Sequence, residues 1–261
     1  MGSENCIDKK HYVLVHGVCH GAWCWYKLRP RLESAGHKVT DFDLAASGIN
    51  MKKIDDVDTF SQYSEPLLQF LDTMPQNEKV ILVGHSLGGI NIALAMDIFP
   101  EKVGVGVFLS AFVPDTEHKP SYVLEKHSEI TPSGEWWDTE FSPCGNKTII
   151  FFTPEILSKK LYQLSPIEDL GLAKTLIRPG SSFIEDLAEQ KNFSKEKYGS
   201  VPRVYIVCNE DLGIPLNFQR WMIQNAGIND IQEIKNADHM AMLCKPQELC
   251  DSLLQIATKY S

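Results

Sequence analysis

Gly84-His85-Ser86-Leu87-Gly88-Gly89 sets a hydroxyl at the apex of a turn that follows the apolar run Val80-Ile81-Leu82-Val83. A serine presented in this way can attack a carbonyl carbon if a base takes its proton and nearby N–H groups receive the negative charge that develops. The G-x-S-x-G spacing predicts a strand, a strained turn and a helix, the arrangement of a nucleophile elbow. Glycines at 84 and 88 fit that geometry, because so tight a turn brings backbone segments too close for side chains between them. The pentapeptide also occurs in ordinary turns, so context matters. The apolar strand before it and the residues Ile90, Leu94 and Ile98 after it, at a spacing of four, supply that context. The helix, expected from Leu87 to about Phe99, aims its amino-terminal N–H groups and the positive end of its dipole at whatever lies over Ser86.

A serine needs a base, and the base needs a partner that fixes its tautomer. On sheets that carry such an elbow the chain order is serine, acid, histidine, each on a loop after a strand. Asn209-Glu210-Asp211 follows the apolar run that ends at Cys208, and Asp238-His239 follows the one around Ile234. His11 and His37 lead into strands, and His118 and His127 fall in the proline-rich middle of the chain, so His239 is the candidate base. For the acid, Asp211 is preferred over Glu210, since one of two adjacent side chains turns to solvent. Asp238 is disfavoured because it cannot easily reach the Nδ1 of the next residue. Two backbone donors complete the chemistry: Leu87 N–H after the serine, and Val18 N–H in the loop His16-Gly17-Val18-Cys19-His20-Gly21. Gly17, His20 and His85, beside the serine, are expected to contact substrate. His16, His20 and His85 lack a carboxylate or cysteine at ligand spacing, so no metal is expected.

These residues need a scaffold. Short apolar runs at Tyr12–Val15, His37–Phe42, Val80–Val83, Val103–Leu109, Val204–Cys208 and Ile231–Ile234 predict strands. Helices are predicted over Trp23–Ala35, after Ser86, around Phe218–Asn225 and over Gln247–Tyr260. Such alternation predicts an α/β fold with a mostly parallel sheet and helices on both faces. Between about 112 and 198 the rhythm breaks. Prolines 114, 120, 132, 143, 154, 166 and 179 punctuate what reads as short helical pieces, with Trp136 and Trp137 adjacent. Because this stretch begins at the carboxyl end of a strand, it is expected to be an inserted helical cap that roofs the serine. Residues 1–10 read as a disordered tail and 11–261 as one domain.

Bulk properties exclude other classes. A net charge of −9, from 25 basic and 34 acidic residues, disfavours nucleic acid and anionic membranes as partners. The first ten residues hold no apolar signal core, and no run of about eighteen apolar residues occurs, so a cytoplasmic location is expected. Seven cysteines with no C-x-x-C pair read as reduced thiols.

Several motifs in order and register closely resemble the plant methylesterase family of the α/β-hydrolase fold. They are Leu14-Val15-His16-Gly17 with Cys19-His20-Gly21-Ala22-Trp23, Asp43-Leu44-Ala45-Ala46-Ser47-Gly48, the segment 84–89, Tyr198-Gly199-Ser200-Val201 and Asp238-His239-Met240. The similarity runs from about residue 11 to 260. It implies a capped α/β-hydrolase, no cofactor, a homodimer, and hydrolysis of a small methyl ester to the acid and methanol. In this family Ser86, Asp211 and His239 fall on the triad, Val18 and Leu87 on the oxyanion donors, and Trp137 and Met240 on residues lining an apolar acyl pocket. The hydroxynitrile lyases of the same family carry threonine after the first-strand histidine and lysine after the triad histidine. This chain has Gly17 and Met240 there, which favours the esterase. Segments 48–50, 59–66 and 208–211 look more like esterases of alkaloid metabolism, whereas 218–221 and 238–244 look like hormone esterases of the methyl salicylate and methyl jasmonate type. The balance leans to an alkaloid ester. A receptor on the same fold, without turnover, is the reading from another functional class.

Overall fold

The computed structural model describes residues 9–131 and 139–260. Trp137 and most of the expected tail lie outside the described residues. Strands β1 (His11–Val15), β2 (Lys38–Asp41), β3 (Val80–Ser86), β4 (Val103–Ala111), β8 (Arg203–Cys208) and β9 (Asp230–Ile234) form one sheet. Its order is β2-β1-β3-β4-β8-β9, and every pairing is parallel. The inner strands are apolar throughout because both faces are covered. Tyr12, Leu14, Ile81, Val83, Val105 and Val107 enter one apolar cluster, while Val13, Val15, Val80, Leu82 and Phe108 enter the other.

Strand order explains where a site can form. Helix α1 (Arg29–Ser34) carries the chain from β1 to β2 on one side. After α2 (Phe60–Tyr63) and α3 (Glu65–Thr73), the chain returns as β3 beside β1 and then runs through α4 (Gly88–Ile98) to β4 on the other side. The loops after β1 and β3 therefore part in opposite directions and leave a crevice at the carboxyl ends of adjacent strands, where doubly wound sheets bind ligands.

Three expectations need correction. The predicted helix Trp23–Ala35 is a 3₁₀ turn at Ala22–Trp25 followed by α1, in which Pro30 sits in the first turn. Proline has no N–H to continue a helix through and starts one instead. The stripe Ile90, Leu94 and Ile98 marks only part of the buried surface of α4, although Ile90 is fully buried. Ile98 is 44 % exposed, while Ile92, Ala93, Ala95 and Met96 are buried, because sheet and cap segments surround most of this helix. Finally, the segment after β4 is not purely helical. It holds α5 (Tyr122–Ile130) and further short helices, but also β5 (Thr139–Cys144), β6 (Lys147–Phe152) and β7 (Gly180–Ser181), an antiparallel sheet in the order β5-β6-β7. The two-residue turn Gly145-Asn146 joins β5 to β6, with Gly145 at φ +60° in the first central position, where the mirror-image hairpin turn favours glycine. Pro143 is tolerated because β5 is an edge strand.

Candidate active site

The elbow forms as β3 runs into α4. Ser86 holds φ +55°, a left-handed backbone that costs a non-glycine residue about 1–2 kcal/mol. Its neighbours leave no slack: a Cβ on Gly84 would lie 2.5 Å from the Gly88 carbonyl oxygen, and one on Gly88 would lie 2.7 Å from that of Val15. Phe112 N–H donates to the Ser86 carbonyl at 3.0 Å and fastens the turn to the end of β4.

Asp211 lies in the turn after β8 and is buried, whereas Glu210 faces solvent. One carboxylate oxygen, Oδ1, accepts N–H bonds from Gly213 at 2.7 Å and Ile214 at 2.9 Å. The other, Oδ2, accepts from His239 Nδ1 at 2.7 Å and from the Ser110 hydroxyl. The histidine is thereby fixed with its proton on Nδ1, leaving Nε2 as the nitrogen able to accept one. Asp238 is engaged elsewhere: Leu164 N–H and the Ser165 hydroxyl donate to Oδ2, and Met240 N–H to Oδ1, so it ties the histidine loop to the cap.

A cavity of about 530 Å³ opens over these groups. Ser86, Leu87, Val18 and His239 line its floor, and Leu124, Ile150, Phe152 and Leu161 of the inserted segment line its walls. Ser86 is 7 % exposed. Leu87 stands at the start of α4, where the first N–H groups have no partner within the helix and the dipole is positive. A developing oxyanion over Ser86 would find both.

Gly17, His20, His85 and Met240, expected to contact substrate, are not among the residues that line this cavity. A Cβ on Gly17 would approach Ser86 Cβ to 2.8 Å and Oγ to 3.3 Å. His85 Nε2–H donates to the His239 carbonyl at 2.8 Å, bracing the histidine loop from the elbow side. His20 donates from Nδ1 to the Val18 carbonyl at 2.9 Å and accepts the Tyr162 hydroxyl at Nε2, 2.7 Å away. Met240 is buried in the apolar cluster on one face of the sheet. Among the described residues no cluster of three His, Cys, Asp or Glu side chains could hold a metal. No described helix is long and apolar enough to cross a membrane.

No sequence pattern points to Ser110. It is fully buried, with φ +36°, and its only local signal is a hydroxyl near the carboxyl end of the apolar run Val103–Leu109. The N–H pair of Gly213 and Ile214 carried no signal at all, being backbone.

Two expected results arise here. Gly17→Ala should lower kcat/KM by at least ~100-fold, comparable to losing an oxyanion donor, because its methyl group must push Ser86 or the Val18 loop aside. Ester hydrolysis by the folded variant checks this, and wild-type rates would contradict the packing. The second concerns pH. Burial pushes His20 down to about 4, lowers His16 and drives His85 well below the usual histidine range. The unfolded chain protonates these rings below about pH 6.5 and the folded one does so only much lower. Their stabilising contribution is therefore complete above that value and is lost as pH falls toward 4, by about 3 kcal/mol for His20 alone. A urea midpoint that declines steadily between neutral and mildly acidic pH is expected. A level one would contradict neutral buried rings.

A parallel sheet with a serine elbow at its switch point and a buried aspartate–histidine pair defines a serine hydrolase of the α/β class. In agreement, the model of the alpha/beta hydrolase family matches residues 12–251. The chain is 57 % identical over 256 residues to methylesterase 1 of Arabidopsis thaliana, covering 97 % of each chain. It is 56 % identical over 258 residues to salicylic acid-binding protein 2 of Nicotiana tabacum, covering 97 % of this chain and 99 % of the relative. The crystal structure of polyneuridine aldehyde esterase superimposes with a TM-score of 0.93 at 50 % identity, over 95 % of this chain and 99 % of that one. The chain belongs to the plant methylesterase family of α/β hydrolases, carboxylic ester hydrolases with a Ser-His-Asp triad.

Proposed function

We propose that Ser86 is the nucleophile, His239 the general base and acid, and Asp211 the group that orients it, in hydrolysis of the methyl ester of a small plant metabolite. The observation that carries this reading is the Asp211–His239 bond of 2.7 Å together with a serine at φ +55°, with Ser86 and His239 lining one cavity. Ser86 Oγ attacks the ester carbonyl while His239 Nε2 takes its proton, and the N–H groups of Val18 and Leu87 receive the oxyanion. As the tetrahedral intermediate collapses, the C–O bond to methoxide breaks and His239 returns the proton, releasing methanol. Water, deprotonated by His239, then attacks the acyl-serine, and the acid and free serine result.

The apolar Met240 side chain beside His239 supports hydrolysis over cyanide release, which would gain from a buried ammonium there. An acyl group larger than one aromatic ring is supported by the cavity of about 530 Å³, within the ~300–1,000 Å³ typical of sites for drug-sized ligands. This volume and the fold match to polyneuridine aldehyde esterase support a monoterpene indole alkaloid ester, whose β-aldehyde acid would lose carbon dioxide after hydrolysis. The 56 % identity to salicylic acid-binding protein 2 favours a second reading, a salicylate- or jasmonate-type ester. The family resemblance supports a homodimer as the working form. A panel of methyl salicylate, methyl jasmonate, methyl indole acetate and alkaloid methyl esters, with products identified by mass spectrometry, tests this. The alkaloid ester should give the highest kcat/KM. Preference for the hormone esters would select the second reading, and hydrolysis of none would overturn both.

A further inference from the structure

The peptide between Gly17 and Val18 is held from its carbonyl side. His16 Nδ1 lies 2.8 Å from the Gly17 oxygen, and the ring's other nitrogen, Nε2, is 3.1 Å from the Leu44 backbone nitrogen. A backbone N–H can only donate, so Nε2 must accept, and the ring proton is on Nδ1, pointing at the Gly17 oxygen. The His20 N–H donates to the same oxygen at 3.3 Å. In a trans peptide the carbonyl and the N–H point in opposite directions. Fixing the Gly17 oxygen toward His16 therefore turns the Val18 N–H away from His16, and Val18 lines the cavity together with Ser86.

We propose that His16 is a positioning residue for ester hydrolysis: it locks the Gly17–Val18 peptide so that the Val18 N–H points at the oxyanion, and polarises that peptide through its carbonyl. This rests on the assignment of Val18 N–H as an oxyanion donor. A hydrogen bond accepted by an amide oxygen strengthens donation by the N–H of the same amide, by about 10–30 % in condensed phase. Orientation is the larger effect, since donors act only when aimed at the charge that develops. His16 is fully buried and reaches no substrate, so its influence passes through the peptide alone. The same ring is anchored by Leu44, in the loop after β2, so two strand-end loops cooperate in aiming one N–H.

Three substitutions separate orientation from bulk. His16→Asn keeps a donor near the Nδ1 position, whereas His16→Gln places its amide near the Nε2 position and His16→Leu has no donor. The Gln and Leu variants should lose about 10- to 100-fold in kcat with little change in KM, less than the ~100- to 1,000-fold of a lost oxyanion donor, because the donor is misaimed rather than removed. Their affinity for a trifluoromethyl ketone, which forms a tetrahedral adduct on serine, should fall in proportion, while affinity for the product acid stays level. The Asn variant should retain most of both. Equal losses in all three variants, or a fall in kcat without a fall in ketone affinity, would overturn the proposal. Should the Leu and Gln variants not fold, ¹⁵N NMR of the wild type decides: a neutral His16 protonated on Nδ1 at neutral pH is required, and protonation on Nε2 alone or on both nitrogens overturns it. Ketone binding that is equal in wild type and Ser86→Ala would instead sink the esterase assignment, leaving the His16 tautomer untouched.

Discussion

Asp211→Asn is expected to lower kcat by about four powers of ten while leaving the fold intact, as loss of the orienting carboxylate does in other serine hydrolases. The reason is a hydrogen-bond count. Oδ1 sits against two backbone donors, Gly213 N–H and Ile214 N–H, so an asparagine must keep its oxygen there. Its NH₂ then falls where Oδ2 was, facing His239 Nδ1. Two donors cannot bond each other, so the imidazole must move its proton to Nε2, and a protonated Nε2 cannot take a proton from serine. The Ser110 hydroxyl, free to rotate, can turn and accept from the new amide. The loss should therefore appear in turnover and not in melting temperature. Steady-state kinetics with p-nitrophenyl acetate beside a thermal melt checks this, and a loss below tenfold would show that the histidine tautomer does not depend on Asp211.

Ser86→Ala should cost more, on the order of a million-fold in kcat, because nucleophile and base act as a unit. The substitution removes one oxygen and leaves the strained φ of +55° as it was, so folding should be unchanged. A residue of activity should survive from the oxyanion donors and from binding alone, ~10³–10⁴ over water in comparable enzymes. Equal hydrolysis of p-nitrophenyl acetate by variant and wild type would favour a receptor without turnover, the remaining reading from another functional class.

The contrast between what local patterns reveal and what they hide is physical. The elbow was legible because its conditions are local: an apolar strand, glycines at the two places where backbones nearly touch, and a helix beyond. The parallel sheet was legible because doubly covered strands are apolar along their whole length. The antiparallel sheet of the inserted segment was not, since the run Ile149-Ile150-Phe151-Phe152 has no alternation and Pro143 reads as a breaker unless its strand is known to lie at an edge. The break in the first predicted helix could have been read from Pro30, which belongs in a first turn. Ser110 could not, because it lies 101 residues away along the chain and reaches Asp211 only after two strand ends meet; the Gly213 and Ile214 donors are local to Asp211 but are backbone groups, which residue types do not reveal. The cavity depends in the same way on how the inserted segment folds over the sheet.

The account stands on a covalent step at one hydroxyl. The most direct measurement mixes the protein with p-nitrophenyl acetate, quenches it in acid before steady state, digests it and locates the acetyl group by mass spectrometry. The predicted result is acetylation of the peptide that carries Ser86, at the oxygen, appearing as p-nitrophenol is released and absent from the Ser86→Ala variant. Continuing turnover with Ser86 unmodified, or with the acetyl group on another residue, would contradict it.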